Sequence, residues 1–71
     1  MATLKLRIQG MSGRADEDRI ETALRQEPGV LGAIANRAGA CAEIEYEDDE
    51  ASLEHLLDLV RRLGYPAELC G

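Results

Sequence analysis

Apolar residues recur along this chain at two different periods, and the order in which those periods alternate constrains the fold more than any other feature. Leu4, Leu6 and Ile8 alternate with Lys5, Arg7 and Gln9, a period of two that predicts a half-buried strand. Over residues 16 to 27 the period becomes helical. Ile20, Ala23 and Leu24 share one face, Asp16 is placed to accept hydrogen bonds at the N-terminus, and Glu17 and Asp18 suit the positive end of the helix dipole. The stripe is short, because the next position on that face is the polar Glu27, and Pro28 and Gly29 stop the helix. VLGAIAN at 30 to 36 then predicts a second strand. RAGA at 37 to 40 turns the chain into CAEIEYE, where Ala42, Ile44 and Tyr46 alternate with acids as strand three of a hairpin. EDDEAS opens a second helix with Leu53, Leu56, Leu57 and Val60 at three- and four-residue spacings. Gly64 ends that helix, and YPAELC at 65 to 70 alternates again as strand four.

The order β-α-β-β-α-β, with amphipathic helices and strands apolar on one face, has a compact α+β solution. It is the ferredoxin-like βαββαβ open sandwich, a four-stranded antiparallel sheet with two helices on one face. The expected core contains Leu4, Leu6, Ile8, Ile20, Leu24, Ile44, Leu56, Leu57, Val60 and Leu69. Strands one and three are neighbours in this topology. Their solvent face should therefore set Lys5 and Arg7 beside Glu43 and Glu45, cross-strand pairs that contribute roughly 0.2 to 1 kcal/mol each.

Composition narrows the partners. The chain has 71 residues and reads as one domain over 1–71, with no Trp, no Phe and two Tyr, so its core must be aliphatic. A net charge of −6 opposes a nucleic-acid backbone or an anionic membrane surface, and two tyrosines leave little for base stacking. No stretch has the apolar length of a signal peptide or a membrane span. Two cysteines, Cys41 and Cys70, are too few for a disulfide scaffold and fit a reducing compartment. The expectation is a cytoplasmic protein with no nucleic-acid partner and no direct membrane insertion.

Several short motifs, in order, resemble the heavy-metal-associated domain of small copper chaperones, mercury-binding proteins and the N-terminal modules of P-type metal ATPases. Gly10-Met11-Ser12 stands where that family has Gly-Met-Thr, and Ile20-Glu21 and Ala23-Leu24 lie on the first helix. Gly29-Val30 precedes strand two, Asn36 lies near its end, Ile44 and Tyr46 fill strand three, and Gly64-Tyr65-Pro66-Ala67 matches Gly-Tyr-x-Ala before the last strand. The resemblance implies that Ala33 and Ala35 are buried and Ile34 faces solvent. It also implies that Met11 packs toward the core and braces the first loop.

That loop departs from the family in its ligands. The two cysteines of Gly-Met-Thr-Cys-x-x-Cys fall on Gly13 and Asp16. Gly13 has no side-chain donor, and Asp16 offers a hard carboxylate where Cu(I) favours thiolate or thioether. No metal is expected at Met11, Gly13 and Asp16, and no resident cofactor. The acids of the first helical turn serve capping, and one acidic turn lacks the six or more oxygens of a calcium site. Cys41, near the loop end of the sheet, and Cys70, at the opposite end of strand four, should be too far apart to share a metal or a disulfide. His55 should face solvent. No nucleophile with a base, phosphate loop or carboxylate pair points to catalysis, and no enzymatic activity is expected.

Two functional readings follow. In the first, the chain is a docking or regulatory module of a metal-transport system. Its partner is a protein such as a P-type metal ATPase or another domain of the same kind, and it is itself a monomer or weak dimer. Docking surfaces would be the first loop, the outer face of the helices and the exposed edges of strands two and four. In the alternative, the chain still handles Cu(I) or another transition metal through other or intermolecular ligands, such as Cys41 or Cys70. A small-molecule regulatory domain of the same fold has no pocket signature here.

Overall fold

The computed structural model describes residues 1–70. Its elements follow the order read from the periods: β1 (Ala2–Ile8), α1 (Arg14–Arg25), β2 (Val30–Asn36), β3 (Cys41–Tyr46), α2 (Leu53–Arg62) and β4 (Ala67–Leu69). The sheet order is β2-β3-β1-β4, and each adjacent pair is antiparallel. Both helices cover one face, so this is the ferredoxin-like sandwich.

Helix α1 begins two residues earlier than its apolar pattern indicates and ends two earlier. Gly13, extended at φ −164°, is the cap and has no side chain to offer. Asp16, three residues into the helix, instead folds back to accept the Ser12 N–H at 2.8 Å. This is a capping box displaced by one residue. At the other end the C-cap Gln26 sits at φ −80° and ψ −12°, the Glu27 amide reaches the carbonyl three residues back, Leu24, at 3.1 Å, and Pro28 has no N–H to continue the helix. Helix α2 has a conventional start, with the Ser52 hydroxyl accepting the His55 N–H at 3.1 Å.

Between α1 and β2 the chain turns at Gly29, whose φ of +90° favours glycine. A Cβ there would also lie 2.8 Å from Cβ of Glu50. Both backbone conformation and close approach thus require a residue without a side chain. The β2–β3 hairpin closes through Arg37–Ala40. Asn36 Oδ1 accepts the amides of Ala38 and Gly39 at 3.0 and 3.3 Å, and Ala40 is left in the left-handed region at φ +53°.

Leu4, Leu6, Ile8, Ile20, Leu24, Ile44, Leu56 and Val60 form the aliphatic centre, joined by the rings of Tyr46 and Tyr65 and by Ala33, Ala35, Ala42, Ala51 and Ala67. Ile34 is 67% exposed between its two buried alanines, as the family pattern implies. Two expected core residues differ. Leu57 is half-buried on the flank of α2, and Leu69 is 51% exposed. Leu69 sits opposite Leu6 and so shares its pleat, but on a three-residue edge strand it has a sheet neighbour on one side only.

Strand four is shorter than the 65–70 alternation. Pro66 has no N–H to donate, although its carbonyl accepts from Gln9 at 2.8 Å and the Cys70 amide donates to Lys5 at 2.9 Å. On the open face Lys5 meets Glu43 at 3.7 Å as expected. Arg7 does not meet Glu45. The register puts Thr3 opposite Glu45, and Arg7 instead lies 3.9 Å from Glu68 on β4. These exposed pairs contribute little to stability.

Candidate functional site: the first loop and the start of α1

The loop of residues 9 to 13 leaves β1 through Gly10, at φ +91°, and enters α1 at Gly13. Met11 is half-buried against the core, the bracing position that the resemblance implies. The geometry centres on Asp16. Its Oδ2 accepts both the Ser12 amide at 2.8 Å and the Ser12 hydroxyl at 3.0 Å. Its Oδ1 accepts the hydroxyl of Tyr65, a residue whose ring is buried in the turn between α2 and β4. One carboxylate thus ties together the loop, the helix start and the approach to β4.

These bonds favour the charged acid. The Tyr65 hydroxyl, followed by the Ser12 amide and hydroxyl, holds the Asp16 carboxyl down at about 2 against an ordinary 3.8. Reciprocally, the Asp16 carboxylate pushes the Tyr65 phenol above its ordinary value, with burial adding to the shift. The second side of the loop is basic. A Cβ on Gly13 would stand 3.8 Å from Nη1 of Arg37, and Glu17 Oε2 accepts the Arg37 amide at 2.7 Å.

Relatives place this arrangement. No family model matches the chain. A copper-exporting P-type ATPase of Staphylococcus aureus (strain Newman) is 33% identical over 67 residues, which take in 94% of this chain and 8% of that protein. The chain therefore spans under a tenth of the curated relatives it matches. Among solved structures, the N-terminal domain of a potential copper-translocating P-type ATPase from Bacillus subtilis, in the Cu(I)-loaded state, is 36% identical with a TM-score of 0.91. That match covers 97% of this chain and 86% of the other. The chain belongs to the heavy-metal-associated domain family. The PacS N-terminal domain from Synechocystis PCC6803 agrees, at 31% identity, a TM-score of 0.88 and full coverage of both chains.

The chain lacks a CxxC pair, and the positions that the resemblance equates with those cysteines are Gly13 and Asp16. Asp16 already has a donor on each oxygen, and Gly13 has nothing to offer a cation. A soft metal does not fit these residues. Among the described residues no group of three or more His, Cys, Asp or Glu side chains is assembled to hold a metal ion. The matched solved chains are a metallochaperone and ATPase N-terminal domains. They are non-catalytic units, in agreement with the reading that the chain is not an enzyme. Among the described residues no helix is long and apolar enough to cross a membrane.

The two thiols are free and half-buried. They do not lie at opposite ends of the sheet. Cys41 is opposite Arg7 and Cys70 bonds the backbone of Lys5, so they flank β1 two residues apart along it. The reason is that β4 pairs only with the second half of β1. With a whole strand between them, about two strand spacings across the sheet, and two residues of offset along it, the Cα atoms stand roughly 12 Å apart, beyond disulfide reach. His55, 52% exposed, is not a free solvent residue either: its Nε2 lies 3.0 Å from Oε1 of Glu27 and links α2 to the turn after α1.

The residue that sequence reasoning missed is Tyr65. It entered only as part of a family motif, and its contact with Asp16 spans 49 positions. The one available signal was the pairing of a lone acid in a ligand position with a tyrosine in a turn at the same end of the sheet.

Proposed function

We propose that this domain serves as a docking or regulatory module of a metal-transport system and has given up soft-metal binding at its first loop. The observation that carries this reading is the state of Asp16. Asp16, which the resemblance puts in the second ligand position, accepts from Ser12 and Tyr65, contacts that support a loop organised by its own side chains. A loop that needed a metal to organise it would leave donors unpaired.

Residues 1–71 act in this reading as one domain, in the cytoplasm, toward a protein partner such as a P-type metal ATPase or another domain of the family. Its charge supports docking through the loop end. The start of α1 and the β2–β3 turn set Arg14, Arg19 and Arg37 beside Asp16, Glu17 and Asp18, a balanced surface, whereas Glu47, Asp48, Asp49 and Glu50 follow β3 and make the other end acidic, where Ala2 pairs with Tyr46. An acidic partner surface is repelled by the second end and not by the first.

The test is titration of Cu(I) against a tight competing chelator. The unmodified monomer should take up no tightly held equivalent. Tight one-to-one binding that survives replacement of both Cys41 and Cys70 by Ala would overturn the reading. Binding that requires a second chain and disappears with Cys41→Ala would transfer the function to a shared thiolate site.

A further inference from the structure

Strand β2 is an edge of the sheet, and its sequence makes that a hazard. VLGAIAN contains no charge, and Leu31 and Ile34 are 56% and 67% exposed. A bulge between Val30 and Gly32 disturbs only its beginning. An uncharged, apolar edge strand with unpaired backbone groups is a template for a copy of itself.

Three backbone groups along this edge are nonetheless occupied. Arg25 Nη2 donates to the Ala33 carbonyl at 2.7 Å, Glu21 Oε2 accepts the Ala35 amide at 2.7 Å, and Glu17 Oε2 accepts the Arg37 amide at 2.7 Å. Arg25 and Glu21 also meet each other at 3.6 Å. The three helical residues are four apart, and Ala33, Ala35 and Arg37, the last just past the end of β2, are two apart. Four helical residues advance about 6.0 Å and two strand residues about 6.6 Å. With α1 running antiparallel to β2, each turn of helix therefore meets the next of these groups. On the β4 edge a single contact of this kind is found among the described residues, Arg61 Nε to the Ala67 carbonyl at 3.0 Å.

We infer that Glu17, Glu21 and Arg25 are an edge guard, holding the Ala33 carbonyl and the Ala35 and Arg37 amides so that a second copy of this chain cannot add its own β2 there. The guard is independent of the loop's metal chemistry. It removes β2 from the surfaces open to strand addition, which include that edge only while its amides and carbonyls are free.

The test replaces both polar ends while keeping the hydrocarbon stems, as Glu21→Met with Arg25→Met. The mass in solution is followed by light scattering over rising concentration, and exchange of the Ala35 amide is measured alongside. The unmodified chain should remain at 7.7 kDa. The variant should shift to twice that mass or more, with the Ala35 amide exposed at low concentration and protected again on association. A folded variant that stays at the monomer mass overturns the inference. So does association in which the Ala35 amide still exchanges freely, or equal association by the unmodified chain. Should the double variant fail to fold, Arg25→Met alone, which frees the Ala33 carbonyl, gives the same reading with a smaller shift.

Discussion

The hydroxyl of Tyr65 donates to Asp16 across 49 positions of chain, and through that bond the turn before β4 fixes the start of α1. Asp16 acts there as a structural acceptor. Its titration reports that role directly. Because the folded-state carboxyl is lowered to about 2 from 3.8, the unfolded chain binds the proton first as pH falls, and the bond's contribution is present above about 4 and lost toward 2. Urea unfolding of the unmodified chain and of Asp16→Asn should differ by an amount that grows as pH rises through this window and is constant above it. In Tyr65→Phe, the carboxyl followed by NMR should titrate closer to 3.8.

Leu24 and Leu69 were both expected in the core, and they should now separate. Leu24 is fully enclosed, so Leu24→Ala should cost about 2 to 5 kcal/mol by denaturant unfolding, enough to unfold much of so small a domain. Leu69→Ala, at a half-exposed edge position, should cost less than about 1 kcal/mol. Equal losses would return Leu69 to the core.

Most of the fold was legible because periods of two and of about three and a half are local properties of the chain. Ile34 illustrates the limit of hydrophobicity alone: its neighbours are small, yet they are the buried pair and it is outside. What escaped were relations between distant segments. Asp16 reads as a helix-start acid, which it is, but its tie to Tyr65 depends on where α2 delivers the chain. Glu17 reads as a helix-start acid and Glu21 as part of a motif, and only the adjacency of α1 to an edge strand makes these two and Arg25 backbone partners. Likewise Glu27, which reads as the polar end of the α1 stripe, lies past that helix and meets His55 from α2.

Two turn positions should respond in opposite directions to exchange of Gly and Ala. Ala40 sits at φ +53°, where a Cβ is strained, so Ala40→Gly should stabilise by about 0.5 to 1 kcal/mol. Gly29→Ala meets both a positive φ and Glu50 at 2.8 Å and should destabilise by more than about 1 kcal/mol. Chemical denaturation of the two variants distinguishes them by sign.

The thiols of Cys41 and Cys70, separated by β1, should both be reduced within a monomer. Alkylation under denaturing conditions followed by intact mass should add two groups. A monomer that takes up none would contain a disulfide the sheet does not permit.

The first loop should accept its missing ligands. Gly13 is extended, at φ −164° and ψ 179°, a conformation open to any residue, and a new Cβ would stand at ordinary contact distance, 3.8 Å, from Arg37. Positions 13 and 16 are three apart at the opening of α1 and so face the same side. A helix N-terminus and a nearby guanidinium both favour thiolate, the form that binds Cu(I). Gly13→Cys with Asp16→Cys should therefore hold one Cu(I) per monomer against a competing chelator that strips the unmodified chain. The same variant loses the bonds from Ser12 and Tyr65, so without metal it should melt below the parent, and Cu(I) should raise its melting temperature by binding the folded state alone. If the folded double variant takes up no Cu(I), the loop differs from its metal-carrying relatives in shape as well as in ligands, and the family's site cannot be rebuilt by restoring two residues.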